Sequence, residues 1–195
     1  IGADRPCDIK NLASWIKPEV VVITRFAKVP VHVEFFASPR QVIEEKMNLV
    51  RALKENGILI LNGDDDDILE AQSEIRQKAV FYGFGADADI RASDDKILNE
   101  ETENGIKPIG MIFKITEHGQ NHWLKIEGVL GRQIIYATLA ALAVADSQGI
   151  KISDGAEALR NFSSPHGRMK ILKGIKDTLI IDDTYNSSPV ALEEA

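Results

Sequence analysis

The sequence predicts an α/β fold: a mostly parallel sheet flanked by helices, with an added β-hairpin and then the opening strand of a further domain. Three observations carry this. Short apolar runs rich in β-branched residues recur at VVVIT, ILILN and AVFYGF, separated by segments of helical periodicity, which is the pattern of βαβ units with right-handed crossovers. MIFKIT (111–116) and HWLKIEGV (122–129) alternate apolar and polar residues around EHGQN, as a hairpin with one wet face does. Near 168–178 one sheet is expected to end and another to begin.

In order along the chain, VVVIT after Glu19 is bounded by Pro18 and Arg25 and is too short for a helix, so it reads as a buried parallel strand. Ser38-Pro39 supplies an N-cap and a first-turn proline. The helix that follows is expected to run to Asn56-Gly57, with glycine as a left-handed stop. ILILN (58–62) is the second strand, and Asp64 to Asp67 crowd the positive end of the next helix, ILEAQSEIRQK. AVFYGF (79–84) is the third strand, and ADIRASDDK after it reads as polar and aperiodic. IIYATLAALAVAD (134–146) is apolar almost all round and predicts a buried helix ended by Gly149. SDGAEALRNF predicts a short helix with Ser153 as N-cap. MKIL and TLIID are strands around KGIKD.

Composition narrows the function classes. The 195 residues carry a net charge of −7 and 44% hydrophobic residues, a share typical of folded chains. No Lys/Arg cluster offers the basic face that nucleic acid requires, and no apolar run approaches the roughly 18 residues of a membrane span. Cys7 is the single cysteine, which excludes an intrachain disulfide and a thiolate zinc cluster and fits a reducing cytosol. There is no signal-peptide pattern. Ile1 leads directly into GADRPCDIKNL, so the chain is expected to be cut from something longer.

Four segments, GADRPCDIKNL, VITRFAKVPVHVEFFASPRQVIEEK, LNGDDDD and GRMKILKGIKDTLIIDDTYNSSPVAL, occur in the order of motifs in the Mur ligases, and the chain resembles that family. The resemblance implies the family's central ATP-binding domain over 1–172 and the start of a Rossmann-like C-terminal ligase domain over 173–195. It implies ATP and Mg²⁺ as cofactors, a cytoplasmic setting, and amide-bond formation through an acyl phosphate in peptidoglycan precursor synthesis. D-D-T-Y-N-x-S-P (182–189) points to the branch that adds D-Ala-D-Ala to the UDP-MurNAc-peptide.

The resemblance also assigns residues. His32 is by itself a loop histidine, and imidazole is not a preferred Mg²⁺ donor; the resemblance makes it a metal ligand. Lys46, between Glu44 and Glu45, is either a solvated helix charge or a group facing the site. The resemblance implies a carbamylated lysine that holds a second Mg²⁺ through oxygen. Asn62 is either a turn former or, by resemblance, a neighbour of adenine, and Asp64 alone of the aspartate run keeps a site claim. Arg168 and Asp183 are implied on a phosphate and on the ribose hydroxyls. Tyr185 and Asn186 complete the motif, with an ordinary turn as their alternative. His118 and His122 flank a hairpin turn and read as surface residues.

GFGADA (83–88) imitates a dinucleotide-binding turn, but such a turn needs a helix directly after it, and none is predicted. The sequence departs from the family at several points. No Gly-Lys-Ser/Thr triplet is present to cradle phosphates, and the family's metal-binding glutamate would fall one residue before Ile1. Cys7 replaces a glycine and Arg25 an asparagine, while Gln133, Ile134 and Ala137 stand where the family often has His, Asn and Asn. Gln133 can still hydrogen-bond adenine. The isolated chain is accordingly expected not to turn over. The alternatives are another Mur or folylpolyglutamate-type ligase, or a non-catalytic module of the same fold.

Overall fold

A computed structural model describes residues 1–26, 35–72, 75, 77–103 and 105–185; His32 and Asn186 lie outside them. The chain divides into two compact units, residues 1–88 and 89–195.

The first unit comprises α1 (Asp8–Ala13), β1 (Val20–Ile23), α2 (Pro39–Arg51), β2 (Ile58–Asn62), α3 (Asp66–Gln72) and β3 (Ala79–Gly83). The three strands are parallel and ordered β1-β2-β3, with Val21 opposite Leu59 and Leu61 opposite Phe81. Their continuous apolar character follows from burial on both faces. Val21, Ile23, Leu59 and Leu61 pack with Met47, Val50 and Leu53 of α2 and its end and with Ile68 of α3. Ser38 caps α2 by accepting from the Gln41 N–H (3.3 Å), with Pro39 in the first turn.

This helix stops at Arg51, short of the expected Gly57. Ala52 closes its last turn, and the Lys54 N–H turns aside to the Pro18 carbonyl (3.0 Å), so the end is set by attachment to the chain entering β1. Gly57 has no left-handed φ and donates instead to the Lys54 carbonyl (2.8 Å). The sequence reading also passed over α1, a short helix anchored by the fully buried Ile9.

The second unit contains β4 (Ile90–Thr102), β5 (Gly105–Glu117), β6 (Gln120–Glu127), α4 (Arg132–Ser147), α5 (Ile152–Leu159), β7 (Lys170–Lys173) and β8 (Leu179–Asp182). The expected hairpin is β5–β6, closed by His118 and Gly119 with φ of 45° and 75°, the geometry of a type I′ turn. It belongs to a three-stranded antiparallel meander, because the segment read as aperiodic is the strand β4. The period is hidden by a bulge between Ser93 and Lys96, where Asp94 takes φ 54°, and the inward set Ile90 and Ala92 loses its phase beyond it. Phe113, Ile115, Leu124 and Ile126 face inward and are fully buried, as are Ile135 and Leu139 of α4.

Helix α5 begins at Ile152 with Lys151 before it, so Ser153 is not its cap; the Ser153 hydroxyl donates to Asp154 Oδ1 (3.2 Å) inside the first turn. β7 and β8 pair from Lys170↔Asp182 to Lys173↔Leu179, so residue 173, the expected domain start, lies within β7. No helix among the described residues is long and apolar enough to cross a membrane.

Candidate functional site

In the first unit the candidate residues gather at the carboxyl ends of β1 and β2, the edge where open α/β sheets bind ligands. Three successive backbone groups leaving β1 are held by side chains. Asn62 Nδ2 donates to the Thr24 carbonyl (3.0 Å), Lys46 Nζ donates to the Arg25 carbonyl (3.2 Å), and the Phe26 N–H donates to Asp65 Oδ2 (3.1 Å). Lys46 thus turns inward from α2, its ammonium 5.7 Å from the Phe26 ring centroid. Burial lowers its pKa from the ordinary lysine value, against the pull of the Asp65 charge. Burial likewise raises the Asp65 pKa, although the Ile68 and Phe26 amides oppose the shift. The Tyr82 phenol is pushed upward by burial and then by Asp65.

Asn62 is 8% exposed, and its Oδ1 accepts from the Asp64 N–H (3.0 Å). The amide therefore links β1 to the turn after β2. Asp64 points elsewhere: its carboxylate accepts from the Phe84 (2.5 Å) and Gly85 (2.8 Å) amides. A Cβ on Gly83 would lie 2.6 Å from Asp64 Oδ2. The look-alike GFGADA therefore wraps a protein carboxylate, and a strand follows it.

Asp65 is the residue that sequence reasoning missed. Besides holding Phe26, it caps α3 by accepting from the Ile68 N–H (3.0 Å) through Oδ1. The cap-to-third-residue spacing from Asp65 to Ile68 was visible in the sequence, but four consecutive aspartates give no reason to prefer it. Among the described residues, no three His, Cys, Asp or Glu side chains come together as a metal-binding group.

In the second unit, Arg168, Asp183 and Tyr185 come together beside the start of β7. The Arg168 guanidinium stacks 4.2 Å from the Tyr185 ring centroid, and Asp183 Oδ1 accepts from the Met169 N–H (3.2 Å). Asp182, assigned nothing by sequence, accepts from the Gly167 N–H (2.9 Å) and the Thr184 hydroxyl (2.7 Å). These bonds, the Thr184 hydroxyl foremost, hold its carboxyl below the usual range. Gly167 has φ 74°, and its carbonyl accepts from the Tyr185 N–H (3.1 Å).

Gln133 lies in the first turn of α4, and its Oε1 is buried with no hydrogen-bond partner among the described residues. Arg132 before it makes a two-pronged ion pair with Asp95 of β4 (2.8 and 3.0 Å). His118 is exposed and sits 2.9 Å from Glu117; His122 is partly buried on β6.

Comparison with known proteins places this arrangement. Residues 2–145 match the model of the Mur ligase middle domain. The chain is 27% identical over 195 residues to a UDP-N-acetylmuramoyl-tripeptide--D-alanyl-D-alanine ligase of Bacillus subtilis (strain 168), covering 100% of this chain and 39% of that protein. It is 28% identical over 191 residues to the Escherichia coli (strain K12) ligase of the same name, covering 96% and 39%. The chain thus spans about two fifths of the length of these relatives. Among solved structures, MurF of Thermotoga maritima in complex with ADP aligns with a TM-score of 0.77 at 26% identity, covering 98% of this chain and 41% of that one. MurF of Acinetobacter baumannii aligns with a TM-score of 0.81 at 21% identity, covering 100% and 40%, a likeness of fold. With the parallel strands β1-β2-β3 and the meander after them both inside residues 2–145, the stretch that the middle-domain model matches, this chain belongs to the Mur ligase family.

Proposed function

We propose that the chain works as the nucleotide-binding central part of a cytoplasmic ligase that joins D-Ala-D-Ala to UDP-MurNAc-tripeptide at the expense of ATP. The observation that carries this reading is the match to UDP-N-acetylmuramoyl-tripeptide--D-alanyl-D-alanine ligases over essentially the whole chain, through the D-D-T-Y-N-x-S-P segment. In this reading residues 1–172 are the central domain, and the C-terminal domain opens at 173.

The residues fit a nucleotide. The orphaned Gln133 Oε1 is an acceptor suited to an exocyclic amine such as that of adenine, Arg168 offers a delocalised cation for a phosphate, and Asp183 keeps acceptor capacity for ribose hydroxyls. Tyr185 holds the Arg168 plane by stacking, and Asn186, outside the described residues, follows it in the motif. Asn62 and Asp64 act by shaping the turn after β2. The fit to Mg²⁺ depends on chemistry at Lys46, because an amine repels a cation and hard cations take oxygen donors. Its burial disfavours the ammonium and so favours a nucleophilic neutral amine. A carbamate there, with His32, would supply the oxygen and nitrogen donors. Bound Mg-ATP would provide the transferable phosphoryl group; the protein's own part is to position cations and exclude water.

The test is phosphate release and product formation by the natural-length protein given ATP, UDP-MurNAc-tripeptide and D-Ala-D-Ala. UDP-MurNAc with L-alanine and folate with glutamate serve as comparison substrates. Turnover only with D-Ala-D-Ala is expected. Preference for L-alanine or glutamate, or no turnover with any set, overturns the reading.

A further inference from the structure

We infer that Asp65 is a positioning residue for the Lys46 amine, acting through the Arg25–Phe26 peptide, which the two side chains grip at opposite ends. What Lys46 does rests on the proposed ligase reading; how it is held does not.

The Arg25 carbonyl that receives Lys46 Nζ and the Phe26 N–H that reaches Asp65 Oδ2 belong to one planar peptide unit. Turning that plane away from Asp65 therefore also turns the carbonyl away from Lys46. Donation of the N–H to a carboxylate further polarises the carbonyl at the other end. The preceding carbonyl, that of Thr24, is fixed by Asn62, so the plane has little freedom to re-form elsewhere. Asp65 is suited to this because its two oxygens do different work: Oδ1 caps α3 at Ile68 and Oδ2 holds Phe26. Asp64 cannot substitute, since its carboxylate is turned to Phe84 and Gly85.

The capping role and the positioning role separate experimentally. Serine is a competent N-cap but has one short oxygen, so Asp65→Ser keeps the helix start and releases Phe26. Asp65→Asn keeps two polar atoms at the original reach, with a weaker acceptor. In the natural-length protein, acylation of Lys46 by an amine-specific reagent is measured by peptide mass spectrometry against Lys54, together with melting and steady-state kinetics. Labelling of Lys46 relative to Lys54 is expected to rise in the order wild type, Asp65→Asn, Asp65→Ser. In Asp65→Ser kcat should fall by about tenfold, the lower range for loss of a supporting group, with KM for ATP little changed and melting preserved; Asp65→Asn should recover most of the rate.

Lys46 labelling at the wild-type level in both variants, or rising equally at Lys54, overturns the inference. If Asp65→Ser does not fold, Asp65→Asn against wild type decides by the same criterion. Absence of ligase turnover in the wild type removes the ligase reading, while the labelling order still decides how Lys46 is held.

Discussion

Gly167 is where a single methyl group should do most to the turn that carries Arg168 and Tyr185, the turn proposed to meet the nucleotide. Its φ of 74° is left-handed, and a Cβ there would sit 2.6 Å from the Tyr185 backbone nitrogen and 2.9 Å from its Cβ. Gly167→Ala thus costs roughly 1–2 kcal/mol for the left-handed alanine. Displacing Tyr185 adds roughly 0.5–1.5 kcal/mol for its hydrogen bond to the Gly167 carbonyl and about 0.5–1 kcal/mol for the exposed Arg168 stack. The sum is about 2–4.5 kcal/mol, concentrated on residues 167–185. If half of it is felt only in the nucleotide-bound form, ADP affinity falls by about 5- to 40-fold. Calorimetric titration of the natural-length protein with ADP reads the affinity, and amide hydrogen exchange at Tyr185 reads the displacement. Binding within twofold of wild type, with Tyr185 exchange unchanged, would refute the argument that a left-handed glycine holds this turn.

Gly110→Ala should destabilise the meander by about 2 kcal/mol or more, since its Cβ would fall on the Ile126 carbonyl oxygen of the paired strand; a lowered Tm in thermal melting is the readout. Asp95→Ala removes both acceptors from the Arg132 fork, and because Arg132 is largely exposed the loss should be only about 0.5–1 kcal/mol, seen as a denaturation midpoint shifted slightly with an unchanged slope. Lys46→Met tests the buried amine by pH. The folded-state pKa lies below 10.5, so the unfolded chain holds the proton more tightly, and wild-type stability should rise relative to Lys46→Met as pH climbs from the lowered value to 10.5, then level off. Parallel stability curves for the two proteins across that window would contradict the burial of the amine.

How far the sequence was legible depends on how locally each feature is determined. β1, β2 and β3 were readable because strands buried on both faces need nothing but apolar, β-branched runs. The start of α2 was readable because Ser38 and Pro39 encode it within three residues. Its end was not, because the chain leaves the helix where Lys54 meets Pro18, a contact 36 positions away that no C-terminal signal announces. β4 was hidden for a related reason. A strand with a bulge at Asp94 and a distal half exposed on both faces has no uniform period to detect, and only pairing with β5 makes it a strand.

The candidate site divides along the same line. Arg168 lies fifteen residues before Asp183 in one segment of the sequence, and the β7–β8 hairpin between them brings Arg168, Asp183 and Tyr185 together. In the aspartate run, chemistry that is identical residue by residue is separated only by direction: Asp64 turns to the loop after β3, whereas Asp65 turns to the chain leaving β1 and shares a peptide with Lys46. Sequence offers four equal carboxylates, and the fold distinguishes them by which unsatisfied amide each can reach. Asp65→Ser therefore leaves Asp64, Asp66 and Asp67 in place and should still cost the Lys46 lodging, because the Phe26 N–H is held by Asp65, whereas α3 begins at Asp66 with the two remaining carboxylates in its first turn.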